Sequence, residues 1–338
     1  MKYLKYLRQF ILFSFKEVPF FSQTIHGLSY NPCLPSSDIF QLQSIDSMVL
    51  SCYNQRTMLI DFHTHIVPPR IKQNRENYTG DPLFHLLYDS PKAKLATAED
   101  LIASMDRNEV DMSVALNIGW SSAVLCAETN DYIMESVERY PGRLIGFGTV
   151  PIEQDDIALR EIERCARGGM KGIGEIRLDR QIVSAENMKL LNDFFSTIIS
   201  NKLLLLLHSS EPVGHEYPGK GDTTPDILYS IATRVPELKL IAAHWGGGLP
   251  FYALMPEVKT VLKNVFFDTA ASPLLYNPLI YQEVINILGI EHILMGSDYP
   301  LLSPKRLVTE IRTLRLPTKI EEMVLFRNAQ RLLGIGLV

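Results

Sequence analysis

The sequence predicts a (β/α)8 barrel, a TIM barrel, with a metal site at the carboxyl ends of its strands. Three observations carry that prediction. From Met58 onward, short apolar runs of strand character alternate with helix-like segments. The alternation continues through eight strand-then-helix units, which fit a closed barrel better than an open sheet. One run, Leu203 to Leu207, is leucine throughout, as strands of a parallel sheet covered on both faces are. The chain has 338 residues, 46% of them hydrophobic, enough for one large core.

The first strand is Met58 to His63. Leu59, Ile60 and Phe62 give it its apolar character, and Pro68-Pro69 lie beyond its end. Side chains at i and i+2 share a face of a strand, so His63 and His65 project side by side. The polar connection from Arg70 to Ala96 is too long for an ordinary loop and reads as a lid or binding loop. Thr97-Ala98-Glu99-Asp100 starts a helix with an apolar stripe of Leu101, Ile102 and Met105. Strand two is Met112 to Leu116, followed by a helix from about Ala123 to Arg139 that Pro141-Gly142 breaks. Strand three is Leu144 to Val150, and the helix Ile157 to Ala166 stops at Gly168-Gly169. Strand four is Met170 to Ile176, followed by a helix from Ala185 to Ser200. Strand five ends at His208, and a Gly- and Pro-containing loop runs from Ser209 to Thr223. Strand six, Leu238 to Ala243, ends at His244, and strand seven is Val265 to Asp268. Strand eight, His292 to Gly296, ends at Ser297-Asp298, and helices from Pro304 and Thr318 close the chain.

Residues 1–57 are unlike the barrel region 58–338. Lys2, Lys5 and Arg8 precede Phe10-Ile11-Leu12-Phe13, too short for a secretory core and followed by no small-residue cleavage site. This stretch reads as an extension dispensable for chemistry, or as lying upstream of a true start at Met58. The formal net charge is −5 with no long run of either sign, which argues against nucleic acid as a partner. Cys33, Cys52, Cys126 and Cys165 form no CxxC pair, so zinc-ribbon and disulfide-framework readings fail and a reducing, cytoplasmic setting is expected. No apolar run reaches membrane-spanning length. The expected partner is a small-molecule substrate, and self-association into a homo-oligomer is left open.

The polar residues at the strand ends form a constellation. His63 and His65 end strand one, Glu175 lies near the end of strand four, and His208 ends strand five. His244 ends strand six and Asp298 ends strand eight. In a parallel barrel these ends meet at one face, where active sites are built. Alone, each has a bland explanation: a satisfied rim histidine, or an aspartate capping the next helix. Six such residues on five strand ends are not independent accidents. Histidines with a carboxylate suit Zn²⁺ first, then Mn²⁺, Fe²⁺ or Co²⁺. His292 opens strand eight at the opposite face and reads as structural, His26 lies in the extension, and His85 and His215 read as surface residues.

These residues carry a family resemblance. IDFHTH at 60–65, KGIGEIRL at 171–178, LLLLHSS at 204–210, AAHWGGGLP at 242–250, FFDTAASP at 266–273, MGSDYPLL at 295–302 and FRNAQRLLGI at 326–335 resemble the amidohydrolase superfamily. The similarity is to the amidohydrolase-related branch that includes aminocarboxymuconate-semialdehyde decarboxylase. It implies one metal held by His63, His65, His208 and Asp298, with His244 as an acid/base or substrate-activating group. Gly174-Glu175 instead resembles the strand-four motif of the TatD-type nucleases, whose glutamate helps hold two metals. Glu175 is therefore a metal-ligand candidate against a salt bridge to Arg177 or Lys171, and one or two ions are expected.

The chemistry expected first is hydrolysis of a small amide, ester or lactone. A bound Zn²⁺ lowers the pKa of its water to about 7. Asp298 is then the general base, and His244 binds a second metal or polarises the carbonyl. Arg177 and Trp245 flank the site as contacts for an anion and a ring, each against a purely structural role. The alternative is non-oxidative decarboxylation on the same ligands. A TatD-type deoxyribonuclease is a third reading, opposed by the acidic balance, and a non-catalytic metal-binding barrel is a fourth.

Overall fold

The computed structural model describes residues 57–178 and 188–336. A compact unit begins at Thr57. Its strands are β1 Ile60–His65, β2 Met112–Leu116, β3 Leu144–Gly148, β4 Gly172–Ile176, β5 Leu204–Leu207, β6 Leu240–Ala242, β7 Val265–Asp268 and β8 Ile293–Leu294. They lie in one eight-stranded sheet in sequence order. Every ladder is parallel, for example with Ile60 opposite Met112 and Leu205 opposite Leu240. The seam between β8 and β1 is closed mainly beyond the end of β8. Phe62 N donates to Met295 O at 2.7 Å, Asp298 N to His63 O at 2.9 Å and His65 N to Tyr299 O at 2.7 Å. The fold is the expected (β/α)8 barrel.

Burial explains the strands. All residues of β1 and β5 are buried, including His63 and His65, because helices cover the outside and side chains fill the inside. Both histidines fall inside β1, whereas the sequence ended the strand at His63. Strand eight is shorter than its expected span from His292 to Gly296. The Asn328 amide takes the carbonyls of Ile290 and Ile293 at 2.7 and 2.8 Å, and Met295 N donates to Val324 O at 3.2 Å. The chain thus leaves the ladder early to bond with the closing helix region. His292 sits below β8, its Nδ1 bonded to Val265 O at 2.7 Å, in the structural position expected of it.

The connection from Arg70 to Ala96 is not a loose loop. It folds into helices Pro69–Gln73 and Pro82–Tyr88 with a 3-10 turn, Arg75–Tyr78, between them. Proline opens both helices, and the Asp81 carboxylate caps the second by accepting from Leu83 N and Phe84 N. The segment has its own apolar cluster of Val67, Ile71, Phe84, Leu95, Ile118, Trp120 and Cys126. There the Phe84 and Trp120 rings stack with centroids 5.1 Å apart. The other helices named from sequence follow their expected spans to within a few residues, except that the expected start at Ala185 lies outside the described residues, as do residues 1–56; the helices Pro256–Val261 and Leu279–Leu288, which follow β6 and β7, had no expected span. Among the described residues no helix is long and apolar enough to cross a membrane.

Candidate metal centre and its cavity

β1 delivers His63 and His65 to the barrel's upper end with their Nε2 atoms 3.0 Å apart. From β8 the chain turns through Asp298, whose φ of 64° puts it in the left-handed region that Asp tolerates. Its Oδ1 lies 3.8 Å from His63 Nε2 and 3.4 Å from His65 Nε2. Glu175, at the end of β4, brings Oε2 to 4.0 and 3.6 Å from the same two nitrogens. Ligand atoms about 2.1 Å from a common tetrahedral centre are separated by about 3.4 Å, so this spacing fits a divalent cation. His63, His65 and Asp298 form one group with metal-holding geometry, and His63, Glu175 and His244 form a second.

Surrounding groups fix each donor. Asp268 Oδ2 accepts from His63 Nδ1 at 2.8 Å, which leaves Nε2 facing the cluster. Burial opposes charge on His63, yet Asp268, with Glu175 and Asp298 beyond it, holds its pKa up to about 10. His244 follows β6, where the chain enters a tight turn with φ near 60° at Trp245, Gly246 and Gly247. A Cβ on Gly247 would lie 2.3 Å from Ser210 O, so only glycine allows that approach. His244 Nδ1 donates to Ala270 O at 3.1 Å, and Nε2 lies 3.4 Å from Glu175 Oε1. Against burial, Glu175 and then Asp298 hold His244 up to about 9, so it carries a proton at neutral pH. Burial, and secondarily Arg177, pushes His208 down to about 4, leaving it neutral.

His208 is brought to Glu175 rather than to His63, His65 and Asp298. Its Nδ1 donates to Glu175 Oε1 at 2.9 Å, and its Nε2 accepts from Ser210 Oγ at 3.1 Å. Glu175 has neither of the salt bridges considered for it, to Arg177 or to Lys171; its partners are histidines. Burial opposes its charge, but His208, His244 and His63 hold it well below the usual carboxylate range. Trp245 is not a substrate contact. It is fully buried, its indole donates to Ser272 Oγ at 3.0 Å, and its ring meets Tyr281 edge-on. Its side chain belongs to the main apolar core.

Above the cluster opens a cavity of about 660 Å³. Arg177, Tyr88, Lys92, Lys94 and Tyr217 line it together with His65, Glu175, His208, His244 and Asp298. Arg177 Nη1 donates to Gly219 O at 2.7 Å. Tyr88 comes from the helix Pro82–Tyr88, so the inserted segment forms one wall. His215 lines the cavity with its ring exposed, whereas His85 is a surface residue paired with Asp89. The sequence reading gave no role to Asp268, Asp61 or Tyr88. Asp268 ends a strand as Asp298 nearly does, so the strand-end pattern held that signal. Nothing local marked the other two.

A family model described as amidohydrolase matches residues 60–335. The chain is 25% identical to 2-amino-3-carboxymuconate-6-semialdehyde decarboxylase of Dictyostelium discoideum, over 83% of this chain and 92% of that protein. It is 24% identical to 6-methylsalicylic acid decarboxylase of Penicillium expansum, over 71% of this chain and 84% of that one. Among solved structures, 5-carboxyvanillate decarboxylase of Novosphingobium aromaticivorans, complexed with manganese, superposes with a TM-score of 0.69 at 18% identity, over 83% of this chain and 97% of that one.

Proposed function

This chain belongs to the amidohydrolase family, and from that membership we propose that it is a metal-dependent, non-oxidative decarboxylase of a small organic acid. The observation that carries the reading is that curated relatives spanning most of the chain are decarboxylases. The same finding corrects the expectation of a hydrolase acting through activated water on an amide, ester or lactone. The ligand set suits both chemistries, which is why the strand-end residues could not choose between them.

His63, His65 and Asp298 would hold the metal, with Glu175 beside them. The imidazole content favours Zn²⁺ and the carboxylates admit Mn²⁺. Bound there, a divalent cation would supply a Lewis acid for the substrate's carboxylate or a neighbouring oxygen. Decarboxylation breaks the bond from carbon to the carboxylate, leaves the electron pair on carbon and releases carbon dioxide; the carbon then takes a proton. His244, protonated and bonded through Nδ1 to Ala270 O, has its Nε2 proton at the cluster and is the proposed donor. His208 fixes Glu175, and Arg177 is the proposed anion contact. One ion is the favoured count, because His63 belongs to both donor groups and, with Nδ1 bonded to Asp268, offers a single nitrogen to them. Cys126 and Cys165 are free and buried, which supports placement in a reducing compartment such as the cytoplasm.

Purified protein loaded with zinc or manganese, offered a panel of aromatic and unsaturated acids, is expected to release carbon dioxide and to place solvent deuterium on the carbon that lost it. Turnover of amide, ester or lactone analogues without carbon dioxide release from any acid would overturn the reading.

A further inference from the structure

The main chain of Glu175 is held in a way that its neighbouring strands do not explain. The ladder from β4 to β5 shifts register between Ile173 and Ile176, and the last β3 partner of β4 is Gly148, opposite Ile173. Glu175 N donates instead to Asn117 O at 3.3 Å. Asn117 follows the end of β2, so this bond passes over the end of β3, the strand that separates β2 from β4 in the sheet. Gly119 lies close by: a Cβ there would stand 3.7 Å from Glu175 O.

The Asn117 side chain is fully buried and uses both ends of its amide. Nδ2 donates to Thr129 Oγ1 at 2.5 Å and to Asn130 Oδ1 at 3.3 Å, and Oδ1 accepts from Trp120 Nε1 at 3.2 Å. Thr129 and Asn130 belong to the helix Ala123–Arg139. The Asn130 amide also takes the N and O of Thr149 at 2.8 Å each, just beyond the end of β3. It donates besides to Glu161 Oε1 at 2.7 Å, and Arg164 pairs with both oxygens of that carboxylate. A buried polar network is rigid when complete and costly when half-satisfied. Apolar side chains of the same shape would serve the fold about as well. What the network adds is a fixed place for the Asn117 carbonyl.

We propose that Asn117 is a positioning residue of the reaction centre, which sets the place of Glu175 through the main-chain hydrogen bond between them. Asn117 does not line the cavity, so it acts through Glu175 and not on the substrate. Glu175 accepts from His208 Nδ1 and stands 3.4 Å from Nε2 of His244, the proposed proton donor. A shift of about 1 Å in Glu175 would misplace that donor, and such an error can cost about 10²-fold in rate. This deepens the decarboxylase reading and rests on it for the role of His244.

The test separates position from stability. In the zinc-loaded, full-length protein, Asn117→Ala should speed hydrogen exchange at the Glu175 amide at least about tenfold, read by mass spectrometry with residue-level fragmentation. For release of carbon dioxide from the best acid of the panel, kcat should fall at least about tenfold while KM stays within about twofold, because the walls that bind the acid are untouched. Ile198→Ala is the control for stability. Ile198 is buried near the start of β5, where its carbonyl accepts from Leu203 N at 3.0 Å, at the barrel end opposite the site. That variant should lose Tm and keep kcat within about twofold of the native value. If Asn117→Ala fails to fold, Thr129→Val carries the test. It keeps the side-chain shape, removes one of the three bonds to the Asn117 amide, and should move exchange and kcat in the same directions by less. Unchanged exchange at Glu175, unchanged kcat, or an equal loss of kcat in Ile198→Ala overturns the inference. A protein whose Glu175 amide responds as expected, yet which releases no carbon dioxide from any acid, keeps the placement of Glu175 and sinks the decarboxylase reading alone.

Discussion

Asp268 shows how a residue outside the ligand set controls it. Its Oδ2 holds His63 Nδ1 while its Oδ1 accepts from the backbone of His244 and of Ala270, so one carboxylate sets the positions of two site histidines. Asp268→Asn should keep the barrel but weaken metal binding about 10- to 100-fold, the usual effect of losing such a partner, as read by competition with a chelator of known affinity. Unchanged affinity would mean that packing alone orients His63. Asp61 is a different case. Fully buried, it accepts from Ser297 and from the His63 backbone, and burial raises its pKa from 3.8 to about 6 despite those bonds. The folded chain therefore holds a proton that the unfolded chain releases between those values. That stabilisation is present at low pH and lost as pH rises through about 6. Relative to Asp61→Asn, the native protein stripped of metal should lose a few degrees of Tm between pH 4.5 and 7.5. A difference that stays constant with pH would refute the assignment. Sequence alone could point to His63, His65, His208 and His244, because strand ends are legible. It could not reveal that Asp61 meets Ser297, since 236 positions separate them.

At the scale of elements, periodicity located every strand because parallel strands are apolar on both faces, a signal that survives without an alignment. It failed on the segment from Arg70 to Ala96, where two helices of five and seven residues are too short to show a 3.6-residue period. What folds that segment is the stack of Phe84 on Trp120 and the Asp81 cap, contacts that join it to the stretch after β2. Phe84→Ala should cost about 3–5 kcal/mol of local stability, as loss of a buried aromatic ring does. Because this cluster is separate from the main core, the loss should appear as faster proteolysis within residues 69–96, with the barrel's far-ultraviolet circular dichroism retained. Tyr88 ends the same helix and lines the cavity, so ligand binding should weaken in parallel. Equal protease resistance in the variant would show that the segment is held by the barrel and not by its own cluster.

The molecule as a whole is a ring of parallel strands, and such a ring is limited by its weakest junction. Seven junctions are ordinary ladders, but β8 contributes only two residues, and the join to β1 depends on backbone bonds made by Met295, Asp298 and Tyr299. The same seam holds the donors, since His63 and His65 come from β1 and Asp298 follows β8. A cation bound there would link the two edges directly, so metal binding and barrel closure are one event at this seam. Binding at a thousandfold excess over Kd adds about 4 kcal/mol to stability, and for a barrel of this size that corresponds to a Tm rise of roughly 7 °C. The location of the effect tests the idea more sharply than its size. On adding a chelator, hydrogen exchange should speed up first for the amides of 60–66 and 293–300, while the β3–β5 ladders keep their protection. A chelated protein whose amides all lose protection together, or whose seam is unaffected, would show that the metal stabilises the fold without closing the ring.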